Sequence, residues 1–428
     1  MFSETRCLTS EVQQQQIRTD EGNFQIIVPT FNEEETLEHV LLYAKEHDYL
    51  KHLVFVDDAS TDSSPAILRR WAKNEGVRAI SLTNNRKKEG AIRAALEILE
   101  QDSGLAPYTI LLDSDSLITV KRNQETVLAQ IVRAIEYMET KGLAAMAFRI
   151  DAICTTRNSV FEIGAFADYS GMQFDQWLVG MQQQLWVING PGGIFNTCHL
   201  LQILRSIVPD FETGDLLISV ELMKQGKPIE FYPNLVVLTF VPTTLRSYFN
   251  QRRRWERGTT KVLWNERLFY FGLFKRPSFL AVLTLVHLSL YIGFVIWLTM
   301  ITPAALEGRD IGKMLLVTAL VWYGISVLKG AWLKLKQPTF PLVKYCLCAV
   351  VNSALWTFVT TPARITGFLE ALFQLLGLPK NVGAGFTVSQ AGYSWLHISD
   401  QGSELVLEMP FSGNALPHES LRSKTTSS

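Results

Sequence analysis

The sequence predicts an α/β domain built on a mainly parallel, Rossmann-like sheet and followed by C-terminal transmembrane helices. Three observations carry this. From Phe24 onward short apolar runs alternate with stretches of helical periodicity. Carboxylates stand at the ends of those runs, and beyond Ser278 the chain turns to long stretches without charge.

The elements follow in order. Phe24 to Val28 is an apolar run, Pro29 and Asn32 mark a turn, and Glu33 to Glu46 has helical spacing, giving strand, loop and helix. "HLVFVDDAST" is a strand ending in carboxylates, and "SSPAILRRWAKNEG" is a helix with Pro65 in its first turn and Gly76 at its end. "VRAISLT" is a third strand, "EGAIRAALEILEQ" a helix and "YTILLDSDS" a fourth strand. Strands alternating with helices of this length imply a sheet covered on both faces, with ligands at the carboxyl ends of the strands. Asp57, Asp58, Asp113 and Asp115 all fall at such ends.

The 428 residues, 47% of them hydrophobic, supply ample core. Forty basic and 41 acidic side chains nearly cancel, which excludes a general nucleic-acid binder and leaves electrostatic recognition to local clusters. Five cysteines show no zinc spacing and no CxxC, as expected in a reducing compartment. Residues 1–23 read as a polar extension without the basic and apolar regions of a secretory signal.

Phe279 to Thr302 contains no Asp, Glu, Lys or Arg, and about 20 such residues span a bilayer core. Met314 to Leu328 and Tyr345 to Ala363 are two further uncharged runs. Soluble helices normally keep a polar stripe, so three such runs in succession predict about three spans. Ile365 to Leu378 is too short to cross and reads as an interfacial helix, and 379–428 is a polar tail. The link carrying Lys329, Lys334, Lys336 and Lys344 is cytoplasmic by the positive-inside rule, which places everything before Phe279 in the cytoplasm too. An integral protein of the cell's inner or plasma membrane is expected.

No GxGxxG or Walker A loop is present, so phosphate must be neutralised another way. "LLDSDS" can place at least one carboxylate oxygen on Mg²⁺ or Mn²⁺, and that cation can bridge diphosphate oxygens. Taken alone, Asp-Ser-Asp is equally an ordinary turn and capping sequence.

"IIVPTFNEEETL", "VFVDDASTDSSPAIL", "KKEGAIRAAL", "LLDSDS", "NGPGGIFNT", "ETGD" and "QRRRW" stand together in an order that resembles the membrane-bound family 2 glycosyltransferases, and most of all the processive cellulose, chitin and hyaluronan synthases. The resemblance runs from about Phe24 to the end of the first membrane helix. It implies a GT-A catalytic domain over 24–243 and inverting transfer from a nucleotide-diphosphate donor, a UDP-sugar, to a growing glycan. The alternative is transfer of a single sugar to a lipid or lipid-phosphate acceptor.

The resemblance also implies roles. Pro29, Thr30, Asn32 and Glu33 line the nucleoside pocket, and Asp57 or Asp58 contacts uracil or ribose. Lys88 lies near the donor, Asp113 approaches the ribose and shares the metal site, and Asp115 ligates the metal. Asp215 matches the late aspartate that acts as general base, with Glu212 competing for that role. Gln251 and Arg254 hold the diphosphate, and Trp255 lies under the acceptor sugar. Gly190, Pro191 and Gly192 border the acceptor, although a plain tight turn would look the same.

Thr244 to Leu263 reads as an amphipathic helix on the membrane surface, within an interfacial segment 244–278. Leu245, Tyr248, Phe249, Trp255 and Val262 are its apolar side, and Arg246, Arg252, Arg253 and Arg257 are expected at lipid headgroups. The large synthases usually carry membrane helices before the catalytic domain, and none is read here. With a membrane region of about three spans (279–378), a homo-oligomer or an export partner is expected to complete any channel.

Overall fold

The computed structural model describes residues 23–102, 104–120, 126–153, 159–207, 212–275, 278–289, 291, 311–377, 397–399 and 406–408. Its first half follows the alternation of the sequence: β1 (Phe24–Thr30), α1 (Leu37–Glu46), β2 (Leu53–Asp57), α2 (Ser64–Glu75), β3 (Arg78–Ser81), α3 (Lys87–Gln101) and β4 (Tyr108–Leu111). Then come β5 (Ser116–Val120), α4 (Val127–Lys141), β6 (Ala145–Ile153), α5 (Val160–Gly180), β7 (Gly193–Asn196), α6 (Thr197–Ser206), α7 (Gly214–Lys224) and β8 (Ile229–Phe240).

The eight strands form one sheet in the order β3-β2-β1-β4-β7-β6-β8-β5. The pairs β1/β2, β2/β3, β1/β4 and β6/β8 are parallel, and β4/β7, β6/β7 and β5/β8 are antiparallel. The sheet is thus mixed and mostly parallel. Because successive strand residues point to opposite faces, the apolar runs divide between two cores. Ile26, Val28, Phe55 and Ile110 pack with α1, α2 and α4, while Ile27, Val54, Val56 and Leu111 pack with α3, α6 and α7. Each such fully buried side chain contributes roughly 1.5–3 kcal/mol.

Beyond the sheet lie α8 (Leu245–Asn265), α9 (Arg267–Leu273), α10 (Phe279–Ser289), α11 (Ile311–Lys336), α12 (Leu342–Leu355) and α13 (Thr361–Leu375). Of the first expected span, only α10 and Tyr291 fall within the described residues. Among the described residues two helices, Leu315–Lys336 and Leu342–Leu375, are long and apolar enough to cross a membrane. The first turns Leu316, Leu320, Leu328 and Leu335 outward.

The second helix corrects the division made from sequence at Ala363. A π-helical turn, Trp356–Thr360, carries α12 directly into α13, so the third expected span and the expected interfacial helix form one continuous helix of 34 residues. Pro362 lies in the first turn of α13. Proline there removes a backbone donor and crowds the preceding turn, and the wider π winding, with Thr361 N–H bonded back to Trp356 O, accommodates it.

Helix α5 packs against α11 and α12, so one helix inside the expected catalytic segment belongs physically to the C-terminal apolar helices as well. Asp175 on α5 pairs with Lys329 on α11 at 2.7 Å, and Trp356 Nε1 donates to Asp168 of α5 at 3.1 Å. Helix α8 packs along α13.

Candidate active site

The sheet topology brings the carboxyl ends of β1 and β4 to one edge, facing α5, α7 and α8. Between them lies a cavity of about 930 Å³. Pro29, Thr30, Glu33, Asp58, Lys88, Asp113 and Asp115 line its strand-end wall; Gly190, Pro191, Asp215, Gln251, Arg254 and Trp255 line the rest.

Three expected residues do not line it. Asn32 sits in a left-handed conformation (φ 57°), and its Oδ1 accepts the Thr61 backbone N–H at 2.8 Å, tying two exposed loops together. Asp57 is buried with its Oδ1 accepting from Ser60 N–H at 3.1 Å, which leaves Asp58 as the member of the pair that faces the cavity. Asp58 Oδ1 in turn accepts the Arg86 N–H at 2.7 Å. Gly192 lies behind the wall, where an added Cβ would come within 2.7 Å of Val237 Cγ2.

Charge on the strand-end wall is crowded. Burial, and then the nearby Asp115 and Asp113 carboxylates, push the Glu33 carboxyl up to about 7. Burial and Asp113 raise Asp115 to about 6. Lys88 Nζ bonds Asp113 Oδ1 and reaches Gly190 O at 3.2 Å. Burial alone would lower the lysine, but Asp113 beside it holds it above its ordinary value.

Asp215 stands in the first turn of α7, with Oδ2 accepting from Gly190 N–H at 3.0 Å and Oδ1 from Leu216 N–H at 2.8 Å. Burial raises its affinity for a proton, against the pull of Lys88 and these two donors.

The donor set suits a hard divalent ion of the Mg²⁺ or Mn²⁺ type. No group of three or more His, Cys, Asp and Glu that could hold a metal is found among the described residues. Mg²⁺ is commonly held by one or two carboxylates together with substrate phosphates, and half-buried, mutually repelling Asp113 and Asp115 match that arrangement.

Helix α8 corrects the membrane-surface reading for three of its arginines, Arg252, Arg253 and Arg257, while Arg246 stays exposed. Successive helical residues are turned by about 100°, so three consecutive arginines face three directions. Arg252 is buried, pairs with Asp168 at 2.7 Å, and lies 4.5 Å from the Trp255 ring centroid, backing one face of that ring. Arg253 points to Glu370 at 3.6 Å, and Arg257 pairs with both Glu212 and Glu370. Arg254 is exposed and opens into the cavity.

Sequence reasoning missed the α5 wall and Glu89. Tyr169, Met172, Gln173 and Gln176 line the cavity from one face of α5 at helical spacing. The signal was present: Ser159 and Glu162 form a capping box that marks the start of that helix. Glu89 gave no signal beyond its place beside Lys88.

A mixed, mostly parallel sheet thus sets acidic strand ends across one cavity from a half-buried carboxylate. In the solved structures, a mannosyltransferase from Pyrobaculum calidifontis in complex with GDP-Man and Mn²⁺ superimposes with a TM-score of 0.53 at 19% identity, covering 82% of this chain and 87% of that one.

The description "Glycosyl transferase family 2" matches residues 25–136 and "Glycosyl transferase family group 2" residues 108–360. The chain belongs to glycosyl transferase family group 2 and is a transferase. An N-acetylglucosaminyltransferase of Bradyrhizobium diazoefficiens is 25% identical over 362 residues, 77% of this chain and 70% of that protein. A poly-β-1,6-N-acetyl-D-glucosamine synthase of Staphylococcus aureus (strain COL) is 21% identical over 256 residues, 59% of this chain and 58% of that protein.

Proposed function

We propose that the chain is an inverting glycosyltransferase that moves N-acetylglucosamine from its UDP donor to the end of a growing polysaccharide at the membrane. One observation carries the reading: a single cavity unites acidic strand ends, Lys88, a separate half-buried carboxylate, Asp215, and the Gln251–Arg254–Trp255 face of α8. The choice of sugar rests on the names of the two relatives.

In this reading Pro29, Thr30, Glu33 and Asp58 surround the nucleoside. Lys88, Gln251 and Arg254 hold the diphosphate, and the planar guanidinium of Arg254 suits paired phosphate oxygens. Asp113 and Asp115 would hold Mg²⁺ or Mn²⁺, which when bound offsets the charge building on the leaving diphosphate. Trp255 turns the ring face not covered by Arg252 to the acceptor sugar, beside Gly190 and Pro191.

Asp215 accepts the proton of the acceptor hydroxyl as that oxygen attacks the anomeric carbon and the bond to the diphosphate breaks on the opposite side. One carboxylate suffices, because no sugar is bound covalently to the protein. Burial supports the role by strengthening Asp215 as a base. The catalytic segment 24–243 then faces the cytoplasm, 244–278 lies at the interface and the helices beyond 279 enter the bilayer.

Membranes containing the protein, incubated with a panel of nucleotide sugars, should consume UDP-N-acetylglucosamine and yield oligomers identifiable by mass and linkage. A single-sugar lipid product would replace the polymer reading with its alternative, and absence of any donor use would overturn both. Asp215→Asn should lower turnover by roughly two or more powers of ten while donor binding survives.

A further inference from the structure

We propose that Arg257 is a positioning residue for the base, clamping the segment that carries Asp215 to membrane-side helix α13. The inference rests on the assignment of Asp215 as the base. From sequence, Glu212 and Asp215 compete for that role, and their surroundings separate them. The Glu212 carboxylate is taken by a guanidinium fork, with Arg257 Nε to Oε2 at 2.7 Å and Nη2 to Oε1 at 2.6 Å. Both residues line the cavity, but among the described residues the hydrogen bonds to the Asp215 oxygens come from main-chain N–H groups, those of Gly190 and Leu216.

The remaining edge of the same guanidinium reaches another element. Arg257 Nη1 donates to Glu370 Oε2 at 2.6 Å, and Glu370, on α13, is buried. One side chain therefore bridges two carboxylates more than a hundred residues apart in sequence, one in the segment leading to the base and one on the long apolar helix.

The two residues between Glu212 and Asp215 are wedged as well. Thr213 lies against Gly258, where a Cβ would come within 2.7 Å of Thr213 Cγ2 and Oγ1. Gly214 lies under Glu89, where a Cβ would stand 2.0 Å from Glu89 Oε1. Helix α8 thus supplies two adjacent contacts, Arg257 and Gly258, to two adjacent residues of the segment.

The segment depends on these contacts because α7 has no side-chain cap of its own. Thr213 occupies the N-cap position and makes no capping hydrogen bond. A helix start without a side-chain cap relies on other partners to hold its first turn, and Asp215 sits in that turn. The clamp stands where a cap would, and ties the base to α13.

The test uses the full-length protein in detergent, with UDP binding and turnover measured separately. Arg257→Gln should lower kcat roughly 10- to 100-fold, the range expected when a reacting group is misplaced by about an ångström, while UDP affinity stays within about twofold. Arg257→Lys should not restore kcat, since an ammonium cannot fork two carboxylates. Glu212→Gln, on a partly exposed side chain, removes the clamp from the other end and decides the matter if Arg257→Gln fails to fold. The double variant should be no worse than either single one.

Wild-type kcat in Arg257→Gln or Glu212→Gln, with Asp215→Asn inactive, overturns the clamp alone. Loss of UDP affinity in step with kcat overturns it too, by placing Arg257 on the donor. Near wild-type turnover in Asp215→Asn overturns the base assignment instead.

Discussion

The two walls of the cavity treat charge in opposite ways. On the strand-end wall Glu33, Asp113 and Asp115 crowd together, and Lys88 is bonded there to Asp113, so the Glu33 and Asp115 carboxyls are driven up toward neutrality. Along α8 the charges are met: Arg252 by Asp168, Arg253 by Glu370, Arg257 by Glu212 and Glu370, and Glu256 by Arg364. Buried charge without an adequate partner is costly, and a fold keeps it where a ligand completes it. Paired charge of the same burial holds elements together.

The largest expected effect tests the unmet wall. Asp115→Ala should abolish turnover, by three powers of ten or more, about 4 kcal/mol of transition-state stabilisation. The same change relieves repulsion, so thermal stability should hold or rise. EDTA should reproduce the loss, and added Mg²⁺ or Mn²⁺ should reverse it in the wild type only. Turnover that survives both treatments would remove the metal from the scheme.

On the met wall the expected signature is reversed. Arg252→Met leaves Asp168 buried without its cation and should destabilise the fold by about 3 kcal/mol. This lies at the low end for such a pair, because Trp356 Nε1 still donates to Asp168. A thermal inactivation curve unchanged from wild type would show that the pair does not hold α5 and α8 together. Without its backing, Trp255 should also support less elongation than donor hydrolysis.

The smallest effect belongs to the arginine that the α8 wall leaves to the cavity. Arg254→Lys keeps the charge and loses the fork, and should weaken donor binding by about 1 kcal/mol, roughly fivefold, with no change in stability. An equal loss of stability would put Arg254 with its neighbours on the structural side of the comparison.

What could be read from the sequence follows the same division. Strand ends project residues by topology, so "LLDSDS" and the "VDD" run lead directly to Asp113, Asp115 and Asp58 at the cavity. Neighbouring positions such as Asn32 and Asp57 differ only in which way a turn points them, and that is set by Thr61 and Ser60 across the loop. Helical residues depend on what packs against each face. The basic face of α8 suits lipid headgroups equally well until Asp168, Glu212 and Glu370, distant in sequence, are brought against it. Helix α5 was missed for a related reason, since it is buried on several sides and shows little contrast between its faces.

The π-helical turn at Trp356–Thr360 acts as a phase adjustment. Tyr345, Ala349 and Ser353 are buried before it, where the helix packs on α5, and Ala363, Gly367 and Ala371 are buried after it, where the helix packs on α8. An unbroken α-helix would bring Ala363, about five full turns on, back to the side of Tyr345, so the wider π winding turns the second stripe away from the first, and each residue gained or lost turns everything beyond it by about 100°. Deleting a single residue within the turn would leave α12 seated on α5 while rotating Glu370 away from Arg257. The timing of the helix, as much as its contacts, therefore decides which carboxylate meets α8.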